Sequence, residues 1–166
     1  MRKKVFSVLV SNTAGVLNRV ASLFSRRAYN INSLTVGETE NPEYSRMTIV
    51  TSGDDDVLEQ IEKQISKLED VISITELDPE AAVWREVGLV KGAVTAEQRE
   101  QVIAIANIFR VKIVDVSKES LIVELIGSQS KLEAFLGLLE GYKIEELVRT
   151  GITGLSRGKV NKVIHI

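Results

Sequence analysis

The chain has 166 residues, 44% hydrophobic and 27% charged, with a formal net charge of -2, which is typical of one ordinary globular domain or two small ones. The near-neutral charge argues against a nucleic-acid or membrane-surface partner, and the absence of cysteine excludes disulfides, thiolate metal sites and a cysteine nucleophile. The first apolar run stops at Ser11, and no run approaches the roughly 20 apolar residues of a spanning helix, so we expect a cytoplasmic protein without a membrane segment.

The first half of the chain predicts six elements in the order β-α-β-β-α-β. β-Branched apolar runs predict the strands, and apolar residues at i, i+3, i+4 and i+7 predict the helices. Asn41-Pro42 predicts the turn between the second and third strands, and Asp54 is placed to cap the second helix. The predicted elements are strand 5–10, a helix face of Leu17, Val20, Ala21 and Phe24, strands 31–38 and 46–53, a helix face of Leu58, Ile61, Ile65 and Leu68, and strand 71–77.

The second half repeats the same order. Thr95 and Gln98 form a capping box before the first helix, and Ser128 caps the second. The glycine-rich segment 151–158 has no intrinsic structure and is expected to be a flexible tail or a docking segment. The predicted elements are strands 87–94, 111–117, 120–127 and 143–148, with helix faces Val102, Ile105, Ala106 and Phe109, and Leu132, Phe135, Leu136 and Leu139.

The repeated order predicts an α+β protein made of two ferredoxin-like βαββαβ domains. We place the first domain at residues 1–78, a linker at 79–85 and the second domain, with its tail, at 86–166. A single larger sheet is the alternative, but Asp78-Pro79 and the residues after it resemble a linker. Each small domain leaves one sheet face and its strand edges open, so pairing with another sheet is expected.

The turn SNTAG, between the first strand and the first helix, is the candidate binding site. It has too few glycines and no lysine for a nucleotide-phosphate loop. The turn would suit a free amino acid for three reasons. A helix N-terminus has unpaired amide groups, Gly15 has no Cβ and so allows a close approach, and the Asn12 amide can both donate and accept. The alternative, that Asn12 or Thr13 only caps the helix, stays open at this point. The apolar walls of such a site would come from Val16, Leu17, Leu34 and Val36.

Other sequence features do not assemble a catalytic or metal site. His165 is the only histidine and lies at the end of the chain, so no hydrolytic triad is available. The acidic run 54–56 lacks the spacing of a calcium loop and is expected to cap a helix, while Glu145 and Glu146 face opposite sides of a strand. We expect the second and third strands, 31–38 and 46–53, to be the central strands of the sheet, and the absence of an aromatic residue from both disfavours an RNA-binding sheet. The turn contains no arginine, which disfavours an acyl-phosphate hydrolase.

Several motifs together resemble one known family. NTAGVL, YNINSLTV and SRMTI are similar to the ACT domain of the small regulatory subunits of acetolactate synthase (acetohydroxyacid synthase), and GLSRG is similar to that family's C-terminal ending. The resemblance implies a subunit with no active site and no cofactor of its own. It would bind a large catalytic subunit that carries thiamine diphosphate, Mg²⁺ and FAD, raise its activity and confer inhibition by a branched-chain amino acid, usually valine. An amino-acid sensor acting on another partner remains the alternative function.

The resemblance also implies a site shared by two ACT domains that pair side by side as a homodimer. Asn30 and Ile31 match family positions that face the effector from the partner domain, and Gly37, next to Val36, matches a position linked to feedback sensitivity. Ala28 departs from the family because glycine is common there, and residues 159–166 extend beyond the usual ending as a further strand or arm. The effector turn itself is implied to consist of Asn12, Ala14, Gly15, Val16 and Leu17.

Overall fold

The computed structural model describes residues 1–158 and divides them into two compact units. The first unit contains Met1–Trp84 and the later segment from Ile152, and the second contains Arg85–Gly151. The elements are β1 (Arg2–Ser11), α1 (Val16–Arg26), β2 (Asn30–Glu38), β3 (Tyr44–Gly53), α2 (Asp55–Ser66), β4 (Val71–Glu76), β5 (Ala82–Ala93), α3 (Ala96–Phe109), β6 (Lys112–Val116), β7 (Ser120–Gly127), α4 (Gln129–Leu138), β8 (Lys143–Arg149) and β9 (Thr153–Ser156).

The first unit is a four-stranded antiparallel sheet in the order β2-β3-β1-β4. Residues that alternate along β1 and β3 pack with apolar residues of α1 and α2, so the core lies on one face of the sheet. β2 and β4 are therefore the edge strands, and β1 and β3 are central. The expectation that the second predicted strand is central was wrong.

The buried face of α1 also differs from the prediction. Val16, Val20, Leu23 and Phe24 are buried, whereas Leu17 is 47% exposed. Val20 and Phe24 belong to both faces, so the buried face is rotated by roughly 65° of arc from the predicted one, which is less than one helical position. This rotation leaves Leu17 accessible beside the first turn of the helix.

The second unit repeats the topology, with its strands in the order β6-β7-β5-β8. Its core combines residues of β5 and β7 with α3 and α4, around Leu125, Leu132 and Phe135, which are fully buried. The capping box of Thr95 with Gln98 is present, and Ser128 accepts a hydrogen bond from the amide of Lys131 at 3.2 Å. The α+β class and the repeated βαββαβ order are confirmed.

The segment assigned to the linker and tail is more ordered than predicted. β5 begins at Ala82, inside the predicted linker 79–85, and glycine-rich residues form β9, which pairs with β5. Residues 152–158 group with the first unit instead of the second, contrary to the predicted domain 86–166. Val5, Val50, Leu77, Ala82 and Ile152 form a small buried cluster, against which Trp84 packs.

Two further points concern the limits of the described chain. The predicted strand or arm at 159–166, with His165, lies outside the described residues. No helix within residues 1–158 is long and apolar enough to cross a membrane.

Candidate functional site

The SNTAG turn connects the end of β1 to an uncapped helix. Gly15 is the N-cap residue of α1 with φ 86°, a left-handed conformation that glycine adopts without steric cost. No side chain forms a cap hydrogen bond to this helix, so the interpretation of Asn12 or Thr13 as a simple cap was wrong. The first amide groups of α1 are therefore not satisfied by a side chain, and the helix dipole favours an anion in front of them.

Asn12 is held by contacts across the loop that follows β2. Its backbone amide donates to the carbonyl of Glu43 at 2.7 Å. Its side-chain Nδ2 donates to the carbonyl of Pro42 at 2.9 Å and to Glu38 Oε2 at 3.3 Å. The amide oxygen makes no hydrogen bond within residues 1–158, so in this conformation Asn12 offers a ligand an acceptor and not a donor.

Two charged residues flank the turn, and sequence reasoning missed both as site residues. The Glu38 carboxylate lies on the Asn12 side. On the Gly15 side, a Cβ built on the glycine would lie 2.9 Å from Nη1 of Arg19. The i,i+4 spacing of Gly15 and Arg19 on a helix was a usable signal for this proximity.

Arg19 is oriented by an ion pair. Its Nε donates to Asp70 Oδ2 at 2.5 Å, and Asp70 also accepts a backbone hydrogen bond from Ser11 through its carbonyl at 2.9 Å. The hydrogen bond to Asp70 raises the pKa of Arg19 above its usual value, so the guanidinium stays charged. Asp70, which directly precedes β4, and Ser11, at the end of β1, thus fix a cation beside the glycine.

The apolar residues of the turn divide into accessible and buried ones. Leu17 and Val36 are 47% and 45% exposed, and Ala14 and Gly37 are also exposed. Val16 is buried in the core and its backbone amide donates to the carbonyl of Thr13 at 3.5 Å, so its side chain is not available to a ligand.

Strand direction determines which predicted residues meet within one chain. β1 and β2 both pair antiparallel with β3, so they run parallel, and their C-terminal ends lie at the same end of the sheet. Val36 and Gly37 therefore lie at the same end as Asn12. Asn30 and Ile31 lie at the other end of β2, about 23 Å away along seven strand residues. One chain does not bring the two groups together.

The structure also decides two other predictions that concern candidate sites. Asp54 caps α2 by accepting from the amide of Val57 at 2.9 Å, as expected, and within residues 1–158 no group of acidic or histidine side chains could hold a metal ion. Central strand β1 contains Phe6, but its side chain is completely buried in the core. Central strand β3 adds only Tyr44, which is its first residue and half-buried, so within residues 1–158 the two central strands do not present a pair of exposed aromatic residues. The argument against an RNA-binding sheet thus no longer rests on the composition of β2.

The comparisons with known proteins define the class of protein to which this fold belongs. Residues 6–73 match the family model of the AHAS small subunit-like ACT domain, where AHAS is acetohydroxyacid synthase, so the first unit is an ACT domain. Residues 85–158 match the model described as the small subunit of acetolactate synthase. The chain belongs to the family of acetolactate synthase small subunits.

Individual relatives match over nearly the whole chain. The chain is 52% identical over 155 residues to the probable acetolactate synthase small subunit of Methanothermobacter thermautotrophicus, covering 93% of this chain and 92% of that protein. It is 50% identical over 157 residues to the small subunit of acetolactate synthase isozyme 3 of Salmonella typhimurium, covering 94% and 96%. It is also similar to the crystal structure of the small subunit from Thermotoga maritima, with a TM-score of 0.87 and 46% identity over 96% of this chain and 100% of that one.

Proposed function

We propose that this chain is the regulatory subunit of an acetolactate synthase. It activates the large catalytic subunit and makes that subunit sensitive to feedback inhibition by valine, or by leucine or isoleucine. The effector binds between two copies of the ACT domain, and this chain carries no catalytic group. Thiamine diphosphate, Mg²⁺ and FAD belong to the catalytic subunit in this proposal.

The observation that carries the proposal is the unpaired edge of β2. In the described residues, β2 pairs only with β3, so the backbone groups of Asn30–Glu38 on its other edge are free to pair with a second copy. An antiparallel, two-fold pairing centred on Leu34 would set Asn30 of one copy opposite Glu38 of the other. The two groups of predicted residues, about 23 Å apart in one chain, would then converge at each end of the paired strands.

The charges around the turn suit a free amino acid. A zwitterion needs an anion-binding group and a cation-binding group a few ångströms apart. The amides of α1 and the Arg19 guanidinium favour the carboxylate, and Glu38 with the Asn12 amide oxygen favours the ammonium group. Exposed Leu17 and Val36 offer contacts to a branched apolar side chain.

Binding to the turn is tested by calorimetric titration of the full chain with valine, leucine and isoleucine. We expect saturable binding of at least one of them, weakened by about tenfold or more in Asn12→Ala, because two hydrogen bonds that shape the turn are lost. Asn107→Ala, an exposed asparagine of α3, is the matched control and should bind like the parent chain. Equal affinity in the Asn12 and Asn107 variants would contradict the assignment.

Regulation is tested by mixing the chain with the catalytic subunit and measuring acetolactate formation with and without the effector. The parent chain should raise the rate, and the effector should lower it. Asn12→Ala should still raise the rate but require at least about tenfold more effector for inhibition. No activation by the parent chain would favour the alternative of a sensor for another partner.

A further inference from the structure

A second polar region lies on the face of the first sheet that turns away from the helices. In the strand register, Ser7 of β1 lies opposite Thr48 of β3 and Thr75 of β4. Ser7 and Thr48 are only 4% and 2% exposed, although they do not face the helix-covered core. Buried hydroxyl groups are costly without hydrogen-bond partners, so this cluster calls for a physical explanation.

Ser7 and Thr75, but not Thr48, line a cavity of about 190 Å³ within the first unit. A water molecule occupies about 30 Å³ in the liquid, so the cavity has room for a small polyatomic ion and part of its hydration shell. The lining contains one cation, four hydroxyl groups and two leucines, and no carboxylate. The lining residues are Ser7, Arg46, Ser73, Thr75, Leu77, Leu155 and Ser156.

Arg46 gives the cavity its charge. Its Nη1 donates to Ser7 Oγ at 2.8 Å, which orients the guanidinium across the sheet face. Within residues 1–158 no carboxylate forms an ion pair with Arg46, although its side chain is half-buried. A half-buried guanidinium without an acidic partner favours an anionic ligand, and its remaining N–H groups suit two oxygens of one anion.

The other hydroxyl groups provide further donors. Those of Ser73, Thr75 and Ser156 form no hydrogen bond with any group in residues 1–158, and Ser73 is only 4% exposed. They come from β4 and from the end of β9, so the glycine-rich segment closes one side of the cavity. A planar carboxylate presents two oxygens, whereas a tetrahedral oxyanion presents four to these separately placed donors.

We propose that this cavity binds a tetrahedral oxyanion, either free phosphate or the phosphoryl group of an organic monoester, held by Arg46 and the surrounding hydroxyl groups. Its residues are different from those of the amino-acid turn, so the proposal does not depend on the regulatory function. The glycine-rich segment 152–158 groups with the first unit and supplies Leu155 and Ser156 to the cavity. The position of this segment is therefore part of what binds the anion.

The test is calorimetric titration of the full chain with inorganic phosphate in a buffer free of other oxyanions. We expect one saturable site per chain, weakened by at least about tenfold in Arg46→Gln and by about two- to tenfold in Ser73→Ala. Arg26→Gln removes an exposed arginine in the last turn of α1 and is the matched control, with affinity unchanged. Trp84 fluorescence verifies that each variant is folded, and if Arg46→Gln is not, Ser73→Ala with Thr75→Ala decides.

Further titrations identify the source of the anion. Phenyl phosphate stands for an organic monoester, and binding of phenyl phosphate but not of inorganic phosphate assigns the cavity to a phosphoryl group on a larger molecule. Acetate that binds as tightly as either phosphate, and competes with it, would overturn the tetrahedral assignment. Absence of saturable binding of both phosphates, or an equal loss in Arg26→Gln and Arg46→Gln, would overturn the proposal.

Discussion

Replacing Ala28 with glycine should stabilise the first unit. Ala28 has φ 55°, a left-handed conformation that is unfavourable for a residue with a Cβ. It follows Arg27 at the C-terminus of α1 in a Schellman motif, where the amide of Tyr29 donates to the carbonyl of Phe24 at 3.0 Å and that of Ala28 donates to Ser25 at 3.3 Å. The Tyr29 and Phe24 rings also meet edge to face, with centroids 6.1 Å apart.

The expected gain follows from two opposing contributions. An L-residue in the left-handed region costs about 1–2 kcal/mol, which glycine avoids. Glycine loses about 0.5–1 kcal/mol more conformational entropy on folding. Ala28 is exposed, so no packing is lost when its methyl group is removed. The net free energy of unfolding should rise by about 0.5–1 kcal/mol.

The assay is urea unfolding of the full chain at one protein concentration, followed by fluorescence. Trp84 is the only tryptophan and packs within the first unit, so its signal reports that unit. Ala21→Gly, in the interior of the same helix, is the matched control and should lose about 1 kcal/mol. If Ala28→Gly destabilises the unit as much as Ala21→Gly does, the assignment of strain to Ala28 is refuted.

Three further substitutions test other parts of the structure. Gly15→Ala should lower the free energy of unfolding of the first unit by about 1–2 kcal/mol, because of the 86° φ, and a neutral result in the same assay would contradict this reason. Gly154→Ala should lower the free energy of unfolding of the first unit by about 1–3 kcal/mol and expose Trp84, since the new Cβ would lie 2.8 Å from a backbone carbonyl oxygen. An unchanged tryptophan emission spectrum would argue against docking of β9. Arg149 Nε donates to the buried Glu86 carboxylate at 2.6 Å, so Arg149→Met should lower the free energy of unfolding of the second unit by about 1–3 kcal/mol. Unfolding followed by circular dichroism measures this loss, and Arg149→Lys should retain part of the stability.

Local signals in the sequence predicted much of the fold. Capping residues such as Thr95 with Gln98 and the turns of the hairpins act over a few residues, and the structure has both, whereas β8 is exposed along its whole length and does not alternate. The face of α1 was ambiguous because apolar residues at 16, 17, 20, 21, 23 and 24 satisfy two helical faces equally well. Packing against the sheet, which the sequence pattern does not encode locally, decides between them.

The pattern of apolar and turn residues in the sequence did not predict the contacts between distant segments. The edge position of β2 depends on which strands pair, and Glu38 reaches Asn12 over 26 residues. The glycines around Gly154 led us to expect a segment without regular structure. Instead, the missing side chain of Gly154 is what allows β9 to approach Val83 and Trp84 closely. In all three cases the information lies in tertiary packing and not in the local sequence.

The central claim, that the effector site is completed by a second copy, is tested most directly by mixing two variants. Asn12→Ala damages the turn and Asn30→Ala damages the start of β2, so each variant alone should bind valine at least about tenfold more weakly. After subunit exchange at equal concentrations, half of the dimers are mixed, and each of these has one site with an intact turn and an intact strand. Calorimetry of the mixture should then recover about a quarter of the parent chain's tight valine sites. If the mixture binds no better than the separate variants, while the parent chain binds valine tightly, the shared site is contradicted.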